Sequence, residues 1–200
     1  MRQIGLLGGS FDPIHNGHIR LAVDAMREYA LQEVWLAPAR VQPLKGGSVA
    51  PAEDRLAMCR LAAAEVPGLR VLEDEVQRDG PSYTVDTVRH LLAKHPDIAI
   101  TFVAGTDALA NLPKWKEPEE LLRLARVVAV ERGGMSWQEL LLLLPNSLGM
   151  KLTLCRAHAL PISSTDVRER IANGLSIANL VPPAVEHYIR ERALYRGEER

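Results

Sequence analysis

Six short apolar runs, rich in β-branched residues, recur along the chain, and most of the stretches between them show helical spacing. The runs cover 3–7, 33–37, 69–72, 98–104, 127–130 and 151–154. Alternation of this kind predicts crossover connections and a mainly parallel sheet with helices on both faces. We therefore expect an α/β, Rossmann-like doubly wound fold, in which ligands bind outside the carboxyl ends of the strands.

The spacing of apolar residues also predicts where the main helices lie. We expect helices beginning just after His18, over 52–65, after Thr87, over 136–144 and over 182–195. The last of these is a C-terminal helical tail that packs on the rest of the chain. The leucine run at 140–144 is too short to cross a bilayer and is assigned to a core-facing helix.

Length, composition and charge narrow the class of protein. A chain of 200 residues with 47% apolar residues suits a single domain over 1–200, with the helices from about 163 as a C-terminal subregion. The net charge of −1 disfavours a protein that binds nucleic acid through a broad basic face. Neither a signal peptide nor a membrane span is recognisable, so we expect a cytoplasmic protein without a membrane partner. The sequence does not decide between a monomer and a homo-oligomer.

The two cysteines, Cys59 and Cys155, lie far apart in apolar surroundings. This arrangement indicates buried small side chains rather than a disulfide framework or a metal cluster.

The first apolar run ends at Gly8 and Gly9, and a polar turn through Ser10 and Phe11 follows. Because glycine has no Cβ, the main chain can approach a ligand closely here and turn its N–H groups toward it. The positive end of the next helix points the same way. The glycine spacing fits neither the dinucleotide fingerprint nor the P-loop, and an ordinary strand-to-helix turn is the alternative.

Two imidazoles, those of His15 and His18, lie three residues apart across the start of that helix. At this spacing both can reach the same small volume, and behind a glycine turn they form a donor cluster suited to phosphate. A zinc site is disfavoured, because neither the Glu of H-E-x-x-H nor a clustered third ligand accompanies them.

A stretch rich in proline, glycine and cations follows the second strand at 38–48 and is typical of a loop over a site. Lys45, beside two glycines, either closes onto phosphate or is a solvated surface lysine. In the next predicted helix Arg55 and Met58 are one turn apart. We assign Met58 to the core and leave Arg55 as either a solvent-facing or a functional cation.

The fourth strand leads into Gly105 and Asp107, where a carboxylate suits a ribose hydroxyl; a capped helix start is the alternative. Trp115 follows in a polar stretch of a chain with few aromatic residues. We therefore expect it to be a stacking platform for a flat ring. Tyr83 is a weaker candidate for the other side of the same ring.

The last strand leads to a helix start with three hydroxyl residues and, about one turn later, Arg168. The segment contains Ile162, Ser163, Ser164 and Thr165. Hydroxyls, free N–H groups and a guanidinium that converge at a helix start suit the β- and γ-phosphates of a triphosphate. Capping alone is the alternative, as it is for Ser82, Thr84 and Asp86 at the start of the third predicted helix.

Four of these segments together resemble the nucleotidyltransferase superfamily. The string from Gly9 to His18 is similar to its (T/H)xGH signature, and ISSTDVR at 162–168 is similar to its second signature. The segments SYTVDT at 82–87 and GTDALANLPKW at 105–115 resemble those of bacterial nicotinate mononucleotide adenylyltransferases. Lys45 matches that family's Pro-Pro-His-Lys loop, with Leu44 in place of the histidine. Pantetheine-phosphate adenylyltransferases share the end motifs but not the two middle ones in this form.

The resemblance implies transfer of AMP from ATP to nicotinate mononucleotide, with deamido-NAD and pyrophosphate as products. It implies that the phosphates are handled by His15, His18, Lys45 and Arg168. It also implies ATP contacts for Gly8, Gly9, Ser10, Phe11, Gly105, Asp107, Ile162, Ser163, Ser164 and Thr165, and mononucleotide contacts for Tyr83, Thr84, Thr106, Leu112 and Trp115.

The same resemblance implies how charge is handled by the site. Mg²⁺ would enter on the ATP phosphates without a protein ligand. A carboxylate on the substrate would be favoured over a carboxamide at the helix start near Thr84, because helix N–H dipoles supply the partner charge. A non-catalytic nucleotide-binding module on the same fold is the alternative from another class.

Overall fold

The computed structural model describes residues 1–44, 47–132, 134–156 and 160–196. Its centre is a sheet formed by β1 (Arg2–Gly9), β2 (Glu33–Pro38), β3 (Leu69–Val71), β4 (Ile98–Gly105), β5 (Arg126–Val130) and β6 (Leu152–Cys155). The strands lie in the order β3-β2-β1-β4-β5-β6, and the neighbouring pairs are parallel. The predicted parallel sheet is confirmed, and each apolar run corresponds to one strand.

Helices connect the strands and extend beyond the last one. They are α1 (Asn16–Glu28), α2 (Ala52–Ala64), α3 (Asp74–Gln77), α4 (Thr84–Lys94), α5 (Thr106–Leu109), α6 (Pro118–Leu124), α7 (Trp137–Leu143), α8 (Asn146–Gly149), α9 (Ser164–Ala172) and α10 (Pro183–Glu191), with a 3-10 turn at Leu112–Lys114. The predicted helices are present with small shifts at their ends. The first begins at Asn16 rather than after His18, so His18 lies in its first turn.

Two apolar clusters fill the space on the two faces of the sheet. Along β1, Leu7 packs in one cluster, whereas Ile4 and Leu6 pack in the other, as the two-residue period of a strand requires. The first cluster is covered by α1, α2, α9 and α10, and the second by α4, α6 and α7. Burial on both faces is the reason that the strands read as continuous apolar runs.

The first cluster includes side chains from the end of the chain. Val185 and Ile189 of α10 are buried in it, which confirms that the C-terminal helix packs on the core. Cys59 and Cys155 are both buried, as the sequence indicates. Across the described ranges, the helices are too short or too polar for any of them to span a bilayer.

The topological switch point of the sheet lies between β1 and β4, because successive strands are added on one side of β1 and then on the other. The strands β1 and β4 are neighbours, with Leu7 aligned with Val103, while β2 and β5 continue outward on opposite sides. At such a switch point the connections after the two central strands diverge and leave a crevice at their carboxyl ends. The turns after Gly9 and Gly105 flank this crevice.

Candidate active site

A cleft of about 650 Å³ opens at the carboxyl ends of β1 and β4. Its volume is in the range of pockets that hold small-molecule ligands. The segments singled out in the sequence meet in its wall: it is lined by Gly8, Gly9, Ser10, His18, Tyr83, Thr84, Gly105, Asp107, Trp115, Ser163, Ser164, Thr165 and Arg168. Segments far apart in the chain are therefore brought to one edge of the sheet.

Three residues expected in the site turn their side chains elsewhere. Thr106 and Leu112 are fully buried, at 0% exposure, and Ile162 packs against the first apolar cluster. The hydroxyl of Thr106 donates to the carbonyl oxygen of Met135 at 2.7 Å and accepts from the N–H of Arg132 at 3.1 Å. These side chains hold the loops behind the cleft, because short turns leave alternate residues facing the core. Lys45 lies outside the described residues.

Phe11 and His15 also lie behind the lining rather than in it. Each is 1% exposed. The ring of Phe11 meets the ring of His18 edge-on, with centroids 5.0 Å apart, and covers the turn at Gly9. Phe11 has a φ of 47°, a conformation that is uncommon for a bulky residue and indicates that its surroundings fix it. Its position supports His18 from behind.

The imidazoles of His15 and His18 are stacked, with ring centroids 3.7 Å apart. The backbone N–H of His15 donates to Nδ1 of His18 at 3.3 Å. The backbone N–H of His18 donates to the carbonyl oxygen of His15 at 2.9 Å. Among the described residues, neither ring nitrogen of His15 has a hydrogen-bond partner.

The buried ring of His15 is neutral at ordinary pH. Burial lowers its pKa to about 3; the positive charge of Arg132 acts in the same direction, and Asp166 opposes it. A buried imidazole without partners costs stability, which is consistent with a ring reserved for hydrogen bonding to a ligand.

Gly17, between the two histidines, is required by the packing of His15. A Cβ at this position would lie 2.9 Å from Cε1 and Nδ1 of the His15 ring. The glycine therefore makes room for the imidazole, a role that the sequence motif alone does not reveal.

The start of α9 is tied to the turn that precedes α1. Ser163 caps α9 by accepting from the N–H of Asp166 at 3.1 Å, so the capping alternative holds for this residue. The hydroxyl of Ser164 donates to the carbonyl oxygen of Pro13 at 2.9 Å. Arg168 donates from Nη1 to the carbonyl oxygen of Asp12 at 2.7 Å. The two signature segments therefore form one surface.

The start of α4 forms the other end of the cleft. Its N-cap residue, Tyr83, makes no side-chain capping bond, and the first N–H groups of a helix have no acceptor within the helix. Ser82 does not cap the helix; its Oγ accepts from the N–H of Arg40 at 3.1 Å. Trp115 faces this end and rests edge-on against Phe102, with centroids 5.9 Å apart.

Lys116 joins the two segments at this end. Its Nζ pairs with Oδ2 of Asp86 at 2.8 Å and lies 5.1 Å from the ring centroid of Tyr83. The ion pair is partly exposed and contributes little to stability, but it places a cation beside the start of α4.

Sequence reasoning missed several charged residues of the site. Cations of Lys114, Lys116 and Arg132 line the cleft together with Arg168. Arg132 comes two residues after β5, and its place at the carboxyl end of a strand was the available signal.

Arg55 is 1% exposed rather than solvent-facing. Its spacing of one turn from the fully buried Met58 places both on the same helix face.

The charged side chains that line the cleft are the cations Lys114, Lys116, Arg132 and Arg168 and the carboxylates Asp12, Glu75 and Asp107. Within the described ranges, no group of three or more His, Cys, Asp and Glu side chains is placed to hold a metal ion. Chemically, the arrangement suits a polyanionic ligand.

A parallel sheet with a glycine turn, paired histidines and a hydroxyl-rich helix start around one cleft defines a protein of the nucleotidyltransferase class. In agreement, residues 6–170 match the model of the family described as cytidylyltransferase-like. The chain is 44% identical over 196 residues to the "Probable nicotinate-nucleotide adenylyltransferase" of Roseiflexus sp. (strain RS-1), covering 96% of this chain and 98% of that one. The chain belongs to the nicotinate-nucleotide adenylyltransferase family.

Further relatives agree with this assignment. A protein of the same name from Synechococcus sp. (strain JA-3-3Ab) is 40% identical over 196 residues, with 97% of this chain and 95% of the relative covered. The nicotinic acid mononucleotide adenylyltransferase of Plasmodium falciparum, solved in complex with NaAD, aligns with a TM-score of 0.75 over 98% of both chains. At 20% identity this likeness supports the Rossmann-like fold.

Proposed function

We propose that the protein, acting as a single domain, transfers AMP from ATP to nicotinate mononucleotide, giving deamido-NAD and pyrophosphate. The observation that carries this function is the shared cleft of about 650 Å³, which is lined by the phosphate-binding turns at one end and by the start of α4 at the other. Two nucleotides bound end to end would place their phosphates between His18 and Arg168. We also propose that the protein acts in the cytoplasm.

In the reaction, a phosphate oxygen of the mononucleotide attacks the α-phosphorus of ATP. The bond from that phosphorus to the bridging oxygen breaks, and pyrophosphate leaves with the electron pair. The attacking oxygen is already ionised at neutral pH, so no general base is required. The protein contributes positioning and stabilisation of charge.

We assign the phosphate-handling steps to residues that converge on the cleft. His18 donates to the α-phosphoryl group, and Arg168 stabilises the departing pyrophosphate together with the hydroxyls at the start of α9. We assign Lys45, in the loop after β2, to stabilising the charge of the departing pyrophosphate as well. We assign His15, behind His18, to the phosphates of ATP as a neutral hydrogen-bond donor. It is neutral because burial lowers its pKa to about 3. Gly8, Gly9 and Ser10 supply main-chain contacts.

The second substrate is assigned to the end of the cleft at α4 and Trp115. The carboxylate of nicotinate would lie against the uncapped N–H groups at Thr84, with Lys116 nearby. Helix N–H groups and a cation favour this carboxylate over a neutral carboxamide. Trp115 stacks on the pyridine ring, whereas Asp107 is assigned to a ribose hydroxyl of ATP.

We propose that Mg²⁺ is carried into the site by the triphosphate. The cations Lys114, Lys116, Arg132 and Arg168 in the cleft wall fit phosphate oxygens, and those oxygens are the ligands that Mg²⁺ prefers. Bound there, the ion would neutralise charge on the triphosphate.

The test is pyrophosphate release measured side by side with nicotinate mononucleotide, nicotinamide mononucleotide and phosphopantetheine, each with ATP. We expect turnover with the first and a lower kcat/KM with the second. Turnover with phosphopantetheine would reassign the substrate, and absence of turnover with all three would indicate a non-catalytic nucleotide-binding protein.

A further inference from the structure

Three polar side chains from distant parts of the chain form a buried cluster beneath the loop that follows β2. They are Asp12, from the turn before α1, Arg55 of α2 and Tyr195, which follows α10. Their exposures are 4%, 1% and 9%, respectively. Buried charged groups are costly unless they are paired and hydrogen-bonded, so their partners indicate what they hold in place.

Arg55 ties both ends of the loop to the glycine turn. Its Nη1 donates to the carbonyl oxygen of Ser10 at 2.6 Å, and its Nη2 donates to that of Arg40 at 3.2 Å. Its Nε donates to the carbonyl oxygen of Ala50 at 3.2 Å. Burial lowers the pKa of Arg55, and the charge of Asp12 opposes that shift. A planar guanidinium is suited to bind three carbonyl groups in fixed directions.

Asp12 holds the same loop from the other side. Its carboxylate accepts from the N–H of Val49 at 2.6 Å and from that of Ala50 at 3.1 Å. The hydroxyl of Tyr195 donates to Oδ1 of this carboxylate at 2.8 Å. The carbonyl oxygen of Asp12 is the acceptor for Arg168. The loop, α9 and the C-terminal segment therefore meet at one residue.

The loop held in this way forms part of the cleft wall, which includes Gln42, Pro43, Leu44, Gly47 and Val49. The shape of the cleft on this side therefore depends on where the two ends of the loop are fixed. The backbone around Tyr195 supports a specific role: its φ is 62° and that of Ala193 is 51°. Non-glycine residues keep such conformations only where surrounding contacts impose them.

We propose that Asp12, oriented by Tyr195, and Arg55 are positioning residues that hold the two ends of the loop after β2 and the Gly8–Ser10 turn in the geometry that binds ATP. The C-terminal segment is thus coupled to the nucleotide site. The expected effect on KM for ATP rests on the proposed function, whereas the expected ordering of the loop backbone does not.

Tyr195→Phe is the sharpest test, because it removes one hydroxyl and leaves the ring in place. Tyr188→Phe is the matched control. The hydroxyl of Tyr188 donates to Oδ1 of Asp54 at 2.7 Å. This hydrogen bond also joins the C-terminal helix to α2, but neither residue lines the cleft. The readouts are hydrogen exchange of the peptide covering 47–50, KM for ATP, KM for nicotinate mononucleotide, kcat and the melting temperature.

For Tyr195→Phe we expect exchange of the 47–50 peptide to become about tenfold faster and KM for ATP to rise about tenfold, as for loss of a hydrogen bond to a charged group. KM for nicotinate mononucleotide should change little. For Tyr188→Phe we expect both the exchange of that peptide and KM for ATP to stay as in the wild type, whatever its melting temperature.

Arg55→Lys is the second variant. It keeps the charge but cannot donate in three fixed directions, so we expect it to raise KM for ATP more than Tyr195→Phe does. Wild-type exchange and wild-type KM for ATP in Tyr195→Phe would overturn the proposal. If the wild type itself shows no turnover, the proposed function fails, and the exchange comparison of the two tyrosine variants still decides the positioning role.

Discussion

The guanidinium of Arg168 donates a hydrogen bond of 2.7 Å from Nη1 to the backbone carbonyl oxygen of Asp12, across 156 positions of sequence. A second bond, of 3.3 Å, runs from Nη2 to Oγ1 of Thr165. The two bonds fix the plane of the guanidinium at the cleft wall before any ligand binds. Such preorganised donors stabilise developing charge without reorganisation during the reaction.

Arg168→Lys should therefore lower kcat/KM by about 100-fold, because an ammonium cannot keep both internal bonds and also meet pyrophosphate. Steady-state kinetics at saturating nicotinate mononucleotide would measure this loss. The matched control is Arg170→Lys on the same helix, whose exposed side chain bonds to the carbonyl oxygen of Ser176. An equal effect in the two variants would contradict the role of Arg168.

His18→Ala should lower kcat by about 100-fold or more, because it removes the donor placed against the α-phosphoryl group. The melting temperature reports whether the fold is intact. His90→Ala serves as the control, since this exposed histidine pairs with Asp74 and does not line the cleft. Activity close to wild type in His18→Ala would remove this residue from the mechanism.

Trp115→Ala should raise KM for nicotinate mononucleotide about tenfold, the loss expected for an aromatic stacking contact, with little change in KM for ATP. Trp137→Ala is matched in chemistry, because Trp137 packs against the same apolar cluster but does not line the cleft. Titration with each substrate separates the two KM values. A larger effect on ATP would place the adenine, rather than the pyridine, against Trp115.

The stability of the protein should depend on pH through His15. Burial lowers the pKa of His15 from its ordinary value of 6.5 to about 3. Between these values the unfolded chain binds more protons than the folded protein at this residue, so the free energy of unfolding falls as the pH decreases from 6.5 toward 3. The slope from this residue approaches about 1.4 kcal/mol per pH unit.

Urea denaturation of the wild type and of His15→Gln at several pH values between about 7 and 4 checks this expectation. The variant lacks the titrating group, so its free energy of unfolding should vary less with pH. Parallel curves for the two proteins would show that His15 is not buried in its neutral form.

Gly17→Ala should destabilise the protein and lower its activity, because the new Cβ would lie 2.9 Å from the ring of His15. In a double-mutant cycle with His15→Ala, the ring is absent, and the cost of the alanine at position 17 should largely disappear. Thermal melts of the four proteins measure the coupling. Additive costs would mean that another contact requires the glycine.

The sequence alone determined the sheet and the location of the chemistry. The apolar runs became strands because parallel strands are covered on both faces, and the motif-bearing turns lie at strand ends because connections leave the sheet there. The glycine turn, His18, Trp115 and the start of α9 were thereby placed at one edge. Local periodicity is sufficient for these features, since they depend on residues close together in the chain.

Tertiary structure alone decided which side chains face the cleft and which hold it from behind. Thr106 and Leu112 belong to the right segment yet point into the core, and His15 lies behind His18. The contact between Asp12 and Tyr195 spans 183 positions of sequence, and no local pattern encodes it. The direction of a side chain in a turn, and its partner across the fold, depend on how distant segments pack together.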